Sequence, residues 1–139
     1  MIRYVVASVT GGVLFGILDG LIHANPLAQR LHAVFRPIAR QSVNALAGIA
    51  IDLVYGFVMA GVFLILYWSL PGGTGLLKGL SFGLGVWFFR VVMSVLGQWM
   101  TLEVPPATLL YTLLAGLGEM LIIGAVYGLL LRPAAGVGG

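Results

Sequence analysis

The fold of this chain is decided by residues 79–101, which read GLSFGLGVWFFRVVMSVLGQWMT. This stretch has a single charged side chain, that of Arg90, and contains no proline. The hydrocarbon core of a bilayer is about 30 Å thick, and a helix needs roughly 20 apolar residues to cross it. Residues 79–101 are therefore long and apolar enough to span a membrane as one helix.

The composition of the whole chain supports the same interpretation. Of the 139 residues, 60% are hydrophobic and 8% are charged, whereas a soluble domain has about 25% charged residues. So few charges cannot cover a water-soluble surface of this size, which excludes a soluble domain, a disordered chain and a coiled coil. Because the sequence contains no cysteine, disulfides, thiol catalysis and Cys-ligated metals are excluded as well.

Three other segments are also long and apolar enough to cross a bilayer, at about residues 4–22, 43–68 and 107–131. Helices are favoured over a barrel because the chain has no series of short, alternating strands. The sequence thus predicts an all-α, polytopic membrane protein, with one domain over residues 1–139 and a bundle of four transmembrane helices. These helices are called spans one to four.

The loop between spans one and two, residues 23–42, is polar and basic. One interpretation is an amphipathic helix lying in the membrane interface, with Asn25 as its cap and Pro26 in its first turn. The other is a plain basic loop. If the loop is helical, His23 and His32 face opposite ways, because nine residues correspond to about two and a half turns.

Each predicted span contains one ionisable residue: Asp19, Asp52, Arg90 and Glu119. A charge at the bilayer centre costs about 2.5–3.5 kcal/mol on insertion scales, so each position needs a structural or functional reason. A rise of about 1.5 Å per residue places Asp52, Arg90 and Glu119 near the midplane, and Asp19 near one surface beside His23. We expect the three midplane residues to form a proton, ion or substrate site, with Asp19 and His23 as its entrance or relay.

Arg90 and Glu119 lie on spans joined by the shortest loop, which predicts an ion pair between them. Whether such a pair is part of a site or only locks two helices together stays open. Asp52 then has no obvious partner. It either shares Arg90, binds a proton or cation, or stays neutral and hydrogen-bonded to a neighbouring helix.

Polar or small residues line one face of three spans at helical spacing. Such stripes form either a water-filled half-channel or a dry network of hydrogen bonds between helices. The stripes consist of Asn44, Gly48, Asp52 and Tyr55 on span two, of Arg90, Ser94, Gln98 and Thr101 on span three, and of Thr108, Thr112, Gly116 and Glu119 on span four.

Glycines form a small-residue face on span one and match glycines of span three in a weak sequence repeat. Gly12, Gly16 and Gly20 recur every four residues, a small-residue face that packs inside the bundle or against another copy. A shift of 67 positions places Gly12 on Gly79 and Asp52 on Glu119. This weak repeat would give two parallel halves of two helices each.

Catalytic and cofactor motifs are missing from the sequence. It contains no nucleophile motif, phosphate-binding loop or nucleic-acid motif. Its two histidines lie nine residues apart in one loop, whereas a bis-His haem usually takes its ligands from two helices at matched depth. We therefore expect no enzymatic activity, no cofactor, no metal and no nucleic-acid partner.

Two functions fit these observations. The first is a proton- or cation-linked channel or carrier that works as a homo-oligomer. The alternative is a non-catalytic accessory or assembly subunit of a larger membrane complex, in which the charges inside the membrane are structural ion pairs. In both cases we expect a multi-pass protein of a bacterial-type inner membrane, with its orientation left open because basic residues flank the spans equally on both sides.

Overall fold

The computed structural model describes residues 1–38 and 44–132. It has four helices long and apolar enough to cross a membrane, at Ile2–Ala24, Ala45–Leu66, Gly75–Thr101 and Pro106–Leu130. The predicted all-α bundle of four spans is confirmed, and the chain is a multi-pass integral membrane protein. The predicted start of span two, residue 43, lies outside the described residues.

The elements follow one another in a simple order. Span one is α1 and span two is α3, with a short helix and a 3-10 helix between them. Span three consists of two α-helices joined by a π-helical turn. The elements are α1 (Ile2–Ala24), α2 (Pro26–Leu31), the 3-10 helix (Ala33–Ile38), α3 (Ala45–Leu66), α4 (Gly75–Trp87), the π turn (Phe88–Val92), α5 (Met93–Thr101) and α6 (Pro106–Leu130).

Asparagines begin two of these helices. The Asn25 side chain accepts a hydrogen bond of 2.8 Å from the Ala28 amide, and Pro26 stands in the first turn, as predicted. Asn44 caps α3 in the same way, by accepting from the Ala47 amide at 3.2 Å. Its side chain therefore caps the first turn of α3, whereas the sequence predicts that it belongs to a polar stripe.

The bundle is built from two tightly packed helix pairs, α1 with α3 and span three with α6. A β-carbon on Gly12 would lie 2.8 Å from the Asp52 carbonyl oxygen, and one on Gly79 would overlap the carbonyl oxygen of Gly124. Such close approach of two backbones is how helices associate in lipid, where apolar side chains gain little by leaving their surroundings. The two halves suggested by the repeat thus each pack at an equivalent glycine, Gly12 or Gly79.

The glycine face of span one is used within the chain. Gly12 packs on the α3 backbone, and a β-carbon on Gly16 would lie 2.8 Å from the Asp52 carboxylate. Only Gly20 has open space beside it. Two of the three glycines are therefore not free to contact another copy.

Span three contacts α6 through residues repeated every four positions. Four residues advance an α-helix by about 400°, so each step drifts about 40° from the contact line. The π turn at Phe88–Val92 has hydrogen bonds that span one residue more and absorbs part of this drift. The contact residues are Gly75, Gly79 and Gly83 before the turn, Trp87 at its start, and Val91 and Val95 within and after it.

Aromatic side chains fill the half of the bundle nearest the two termini. Phe63, Phe82 and Tyr127 are buried and pack against one another. The Tyr127 hydroxyl donates a hydrogen bond of 2.8 Å to the Gly56 carbonyl oxygen, which ties α6 to α3. This half of the protein is therefore a packed core.

The glycine contact between α4 and α6 provides a test of the fold. We expect Gly124→Ala to lower the free energy of unfolding by about 1–3 kcal/mol, because the new β-carbon would overlap the Gly79 backbone. Gly118→Ala, on the same helix, is the control, since its β-carbon would meet no atom within 4 Å. Unfolding in mixed micelles with increasing SDS measures both, and equal stabilities of the two variants would contradict this packing.

Candidate functional site

The loop after span one folds back onto the start of α6. The Asn25 amide donates to the Tyr111 hydroxyl at 2.9 Å, and this hydroxyl donates to the Ile22 carbonyl oxygen. The Thr108 hydroxyl donates to the Leu31 carbonyl oxygen, which fixes the end of α2. The loop is thus a short helix and a 3-10 helix tied to span four, rather than one interfacial helix.

This reversal brings the two histidines together. The rings of His23 and His32 have their centroids 5.5 Å apart. The expectation that they face opposite ways is wrong, because α1 ends at Ala24 and the chain turns before α2 begins. Each Nδ1 lies 2.9 Å from a backbone carbonyl oxygen, of Asp19 for His23 and of Ala28 for His32. A carbonyl oxygen only accepts hydrogen bonds, so in each ring the Nδ1 atom carries the hydrogen and donates it. The Nε2 atom of each ring makes no hydrogen bond with the described residues.

A polar cavity of about 310 Å³ extends from these histidines into the bundle. Along α6 it runs from Tyr111 to Glu119, which is about 12 Å at 1.5 Å per residue. Its wall comes from spans one, three and four and from the loop after span one. The ionisable and polar residues that line it are Asp19, His23, His32, Arg90, Ser94, Tyr111, Thr112 and Glu119.

Glu119 lies at the deep end of this cavity. Thr112, Gly116 and Glu119 share one face of α6 because they are separated by four and three residues. The glutamate is only 5% exposed, and its Oε1 atom has no hydrogen-bond partner among the described residues. A buried carboxyl oxygen without a partner is costly, so this atom is suited to take up a proton or a cation.

Arg90 lines the same cavity but does not form the predicted ion pair with Glu119. In the described part of the chain, no nitrogen of Arg90 comes within 4 Å of a carboxylate oxygen. Its guanidinium carbon lies 4.7 Å from the ring centroid of Phe15 and 5.1 Å from that of Tyr55. The π turn carries Arg90 at its centre, and these rings on α1 and α3 hold the guanidinium by cation–π contact.

Asp19 and His23 form the one ion pair of the described residues. His23 Nδ1 lies 3.3 Å from Asp19 Oδ1, and the side chain of His23 is 55% exposed and that of Asp19 45%. The pair carries opposite charges when His23 is protonated. It lies at the mouth of the cavity, where the sequence predicts an entrance or relay.

Asp52 does not line this cavity. It lies in a separate groove of about 650 Å³ between α1 and α3, together with Gly12, Gly16 and Gly48. The cavity therefore brings together residues from the stripes of spans three and four, with residues of span one beside them. Contrary to the prediction, the stripe of span two contributes no residue to this cavity. Gln98 is likewise not among the residues that line the cavity.

One cation stands among three acids in this region. Arg90 lines the polar cavity together with Asp19 and Glu119, and Asp52 lies in the groove between α1 and α3. Two acids, Asp19 and Glu119, and one arginine line the cavity, and the Asp19–His23 pair has no net charge when His23 is protonated. In residues 1–38 and 44–132, no three His, Asp or Glu side chains are grouped to hold a metal ion. A buried carboxyl group whose Oε1 atom has no partner among the described residues is chemically able to bind a proton or a simple cation.

Sequence reasoning missed His32 and Tyr111 as cavity residues. The signal was present in Asn25-Pro26, which ends one helix and begins the next, so that the following residues turn back over span four. The π turn was also missed. Its signal is the length of the four-residue repeat, which continues from Gly75 to Val95 and which an α-helix alone does not keep on one face over five steps.

A double-mutant cycle on Arg90 and Glu119 tests this geometry. Removing one partner of a buried ion pair typically lowers the free energy of unfolding by about 3–5 kcal/mol. Because the two side chains do not touch, we expect Arg90→Gln and Glu119→Gln to be coupled by less than about 1 kcal/mol. Unfolding of both single variants and the double variant in SDS micelles gives the coupling energy. A coupling energy of several kcal/mol would show instead that the two side chains form an ion pair.

Comparison of the chain with protein-family models, with curated proteins and with solved structures gives no significant match. No relative therefore assigns a role to the cavity. Its function has to be argued from the residues that line it and from the chemistry that they can perform.

Proposed function

We propose that this protein is a small proton- or cation-linked carrier, rather than an enzyme, and that Glu119 is its proton- or cation-binding residue. The observation that carries the proposal is the buried Glu119 carboxyl, whose Oε1 atom has no partner among the described residues and which ends a polar cavity near the membrane midplane. Ionisable groups inside a membrane mark ion and proton pathways more often than they serve packing alone.

A carrier explains the shape of the cavity better than an open channel does. The cavity opens near His23 and His32 and ends at Glu119. Beyond Glu119, towards the termini, lies the aromatic core of Phe63, Phe82 and Tyr127. A channel needs a continuous path, whereas a carrier exposes its site to one side at a time. The two helix pairs, α1 with α3 and span three with α6, are the units that would move relative to each other.

The mouth of the cavity suits a proton relay. His23 and His32 each keep one ring nitrogen bound to the backbone and leave Nε2 to accept a proton. Asp19 stabilises the protonated form of His23 across 3.3 Å. A proton taken up here has about 12 Å of polar cavity between Tyr111 and Glu119 in which to move.

Glu119→Gln tests the proposal with little change of shape. We expect this variant to slow proton entry into proteoliposomes by about tenfold or more, because an amide does not bind and release the proton. A trapped pH indicator reports entry driven by a potassium diffusion potential, with and without a panel of water-soluble solutes outside. Glu103→Gln is the matched control, since Glu103 is exposed in the loop before span four.

Two results would contradict the carrier. One is wild-type protein that admits no protons under any of these conditions. The other is a Glu119→Gln variant that admits them as fast as wild type. Asp52→Asn is expected to keep most of the flux, because Asp52 lies in the other groove.

A second candidate function, an accessory subunit, is favoured by Asp52. This partly exposed acid lies about 10 Å along α3 from Ala45, in a groove where two glycines, Gly20 and Gly48, have open space beside them. An acid in such a place usually pairs with another group, and small residues let a partner helix approach closely.

Native mass spectrometry of the protein extracted from its own membrane separates the two functions. A carrier is expected as a single chain or as copies of this chain alone. An accessory subunit is expected with other proteins in fixed ratio, and Asp52→Leu is then expected to release them. If other proteins are found in fixed ratio and Asp52→Leu releases them, the protein is an accessory subunit and the carrier proposal is wrong.

A further inference from the structure

Arg90 is shared between the polar cavity and a second, apolar groove. This groove, of about 520 Å³, lies between α3 and span three and is open towards the lipid. Arg90 is the single charged residue that lines it. The other lining residues are Tyr55, Val62, Leu66, Leu70, Phe82, Gly85, Val86 and Phe89.

The groove runs from the midplane towards the termini. Along α3 it extends from Tyr55 to Leu66, which is about 16 Å at 1.5 Å per residue. Arg90 lies about 22 Å along span three from Gly75 and about 16 Å from Thr101, so the charged end of the groove is deep in the membrane.

The Arg90 guanidinium lacks an anionic partner. Among the described residues it makes no ion pair and no hydrogen bond, and it touches the rings of Phe15 and Tyr55. Arg90 is nevertheless exposed. An exposed cation inside the membrane is costly, and a bound anion would offset this cost. The Tyr55 hydroxyl, also without a hydrogen bond in the described residues, adds a donor at the same end.

We infer that the groove binds an amphipathic anion with a single apolar chain, its carboxylate on Arg90 and its chain lying between α3 and span three towards the termini. A carboxylate matches the guanidinium in charge and geometry, and the apolar lining matches the chain.

Ordinary bilayer lipids do not satisfy this groove. Their head groups lie at the membrane surface and their chains end near the midplane, whereas the groove has its charged end at the midplane. A molecule whose head group is held at the midplane lies between the two membrane surfaces, and the substrate of a carrier has to occupy such a position during transport.

The inference rests on the proposed function in treating the protein as a proton-linked carrier, and it names the substrate class. Asp19 on α1 and Glu119 on α6 line the polar cavity together with Arg90, so their negative charges repel an anion held there, while a protonated His23 attracts it. Each proton bound by an acid removes part of this repulsion. Binding of the anion and of protons would thereby be linked.

Photolabelling tests the inference without measuring flux. The probe is dodecanoate with a diazirine in its chain, applied to the protein in lipid nanodiscs, and the labelled residues are mapped by mass spectrometry. Competition uses three molecules with the same chain: dodecanoate, dodecanol and dodecyltrimethylammonium. We expect label on α3 and span three along the groove, and competition by dodecanoate at concentrations about tenfold or more below those of the other two.

Two variants identify the groove and its charged end. Arg90→Gln is expected to remove the preference for the carboxylate. Gly85→Leu is expected to reduce labelling, because a side chain there points into open space within the groove and fills it. Gly97→Leu is the control on the same span: it also meets open space, does not line the groove, and is expected to leave labelling unchanged.

Several results would overturn the inference. They are equal competition by the three head groups, label spread evenly over the lipid-facing surface, a carboxylate preference that survives in Arg90→Gln, or a copurified protein segment crosslinked into the groove. Carboxylate-specific labelling in a protein that admits no protons would instead keep the ligand site and remove the proton-linked carrier.

Discussion

The close contact between span three and α6 constrains much of this structure. Gly79 and Gly124 let the two backbones touch, and the contact continues at every fourth residue of span three. An α-helix would drift by about 200° over the five steps from Gly75 to Val95, and the span widens into a π turn at Phe88–Val92, which absorbs part of this drift. Arg90 stands at the centre of this turn. The position of the principal charge in the bundle thus depends on how glycines pack several turns away.

The π turn also separates Arg90 from Glu119. The guanidinium rests on Phe15 and Tyr55, which belong to α1 and α3, and the glutamate stays on α6 with an oxygen that has no partner. A direct pair would have neutralised both groups and closed the space between them. Their separation keeps a polar cavity open on one side of Arg90 and an apolar groove on the other. The proposed carrier and its amphipathic ligand both follow from this arrangement.

The loop after span one completes the cavity. Asn25 ends α1, caps α2 and bonds to Tyr111 on α6, so a single side chain joins three elements. Through this link His32 returns to the side of His23 and to the cavity mouth. A basic loop that would otherwise lie in the head-group region becomes part of the proposed proton entrance.

The sequence by itself determined the class of the protein, its four spans and the depth of its charged residues. These follow from local properties: a run of about 20 apolar residues must be a helix in lipid, and a fixed rise sets the depth of each residue. The asparagine cap of α2 is equally local. The tertiary structure alone decided which charges meet. Asp52 faces a different groove from Glu119, Arg90 rests on aromatic rings, and His23 meets His32, because these relations depend on helix rotation, on the π turn and on a chain reversal. Helix rotation is set by the contacts of each helix with its neighbours, and a pattern of spacing within one helix carries no information about the neighbour it faces.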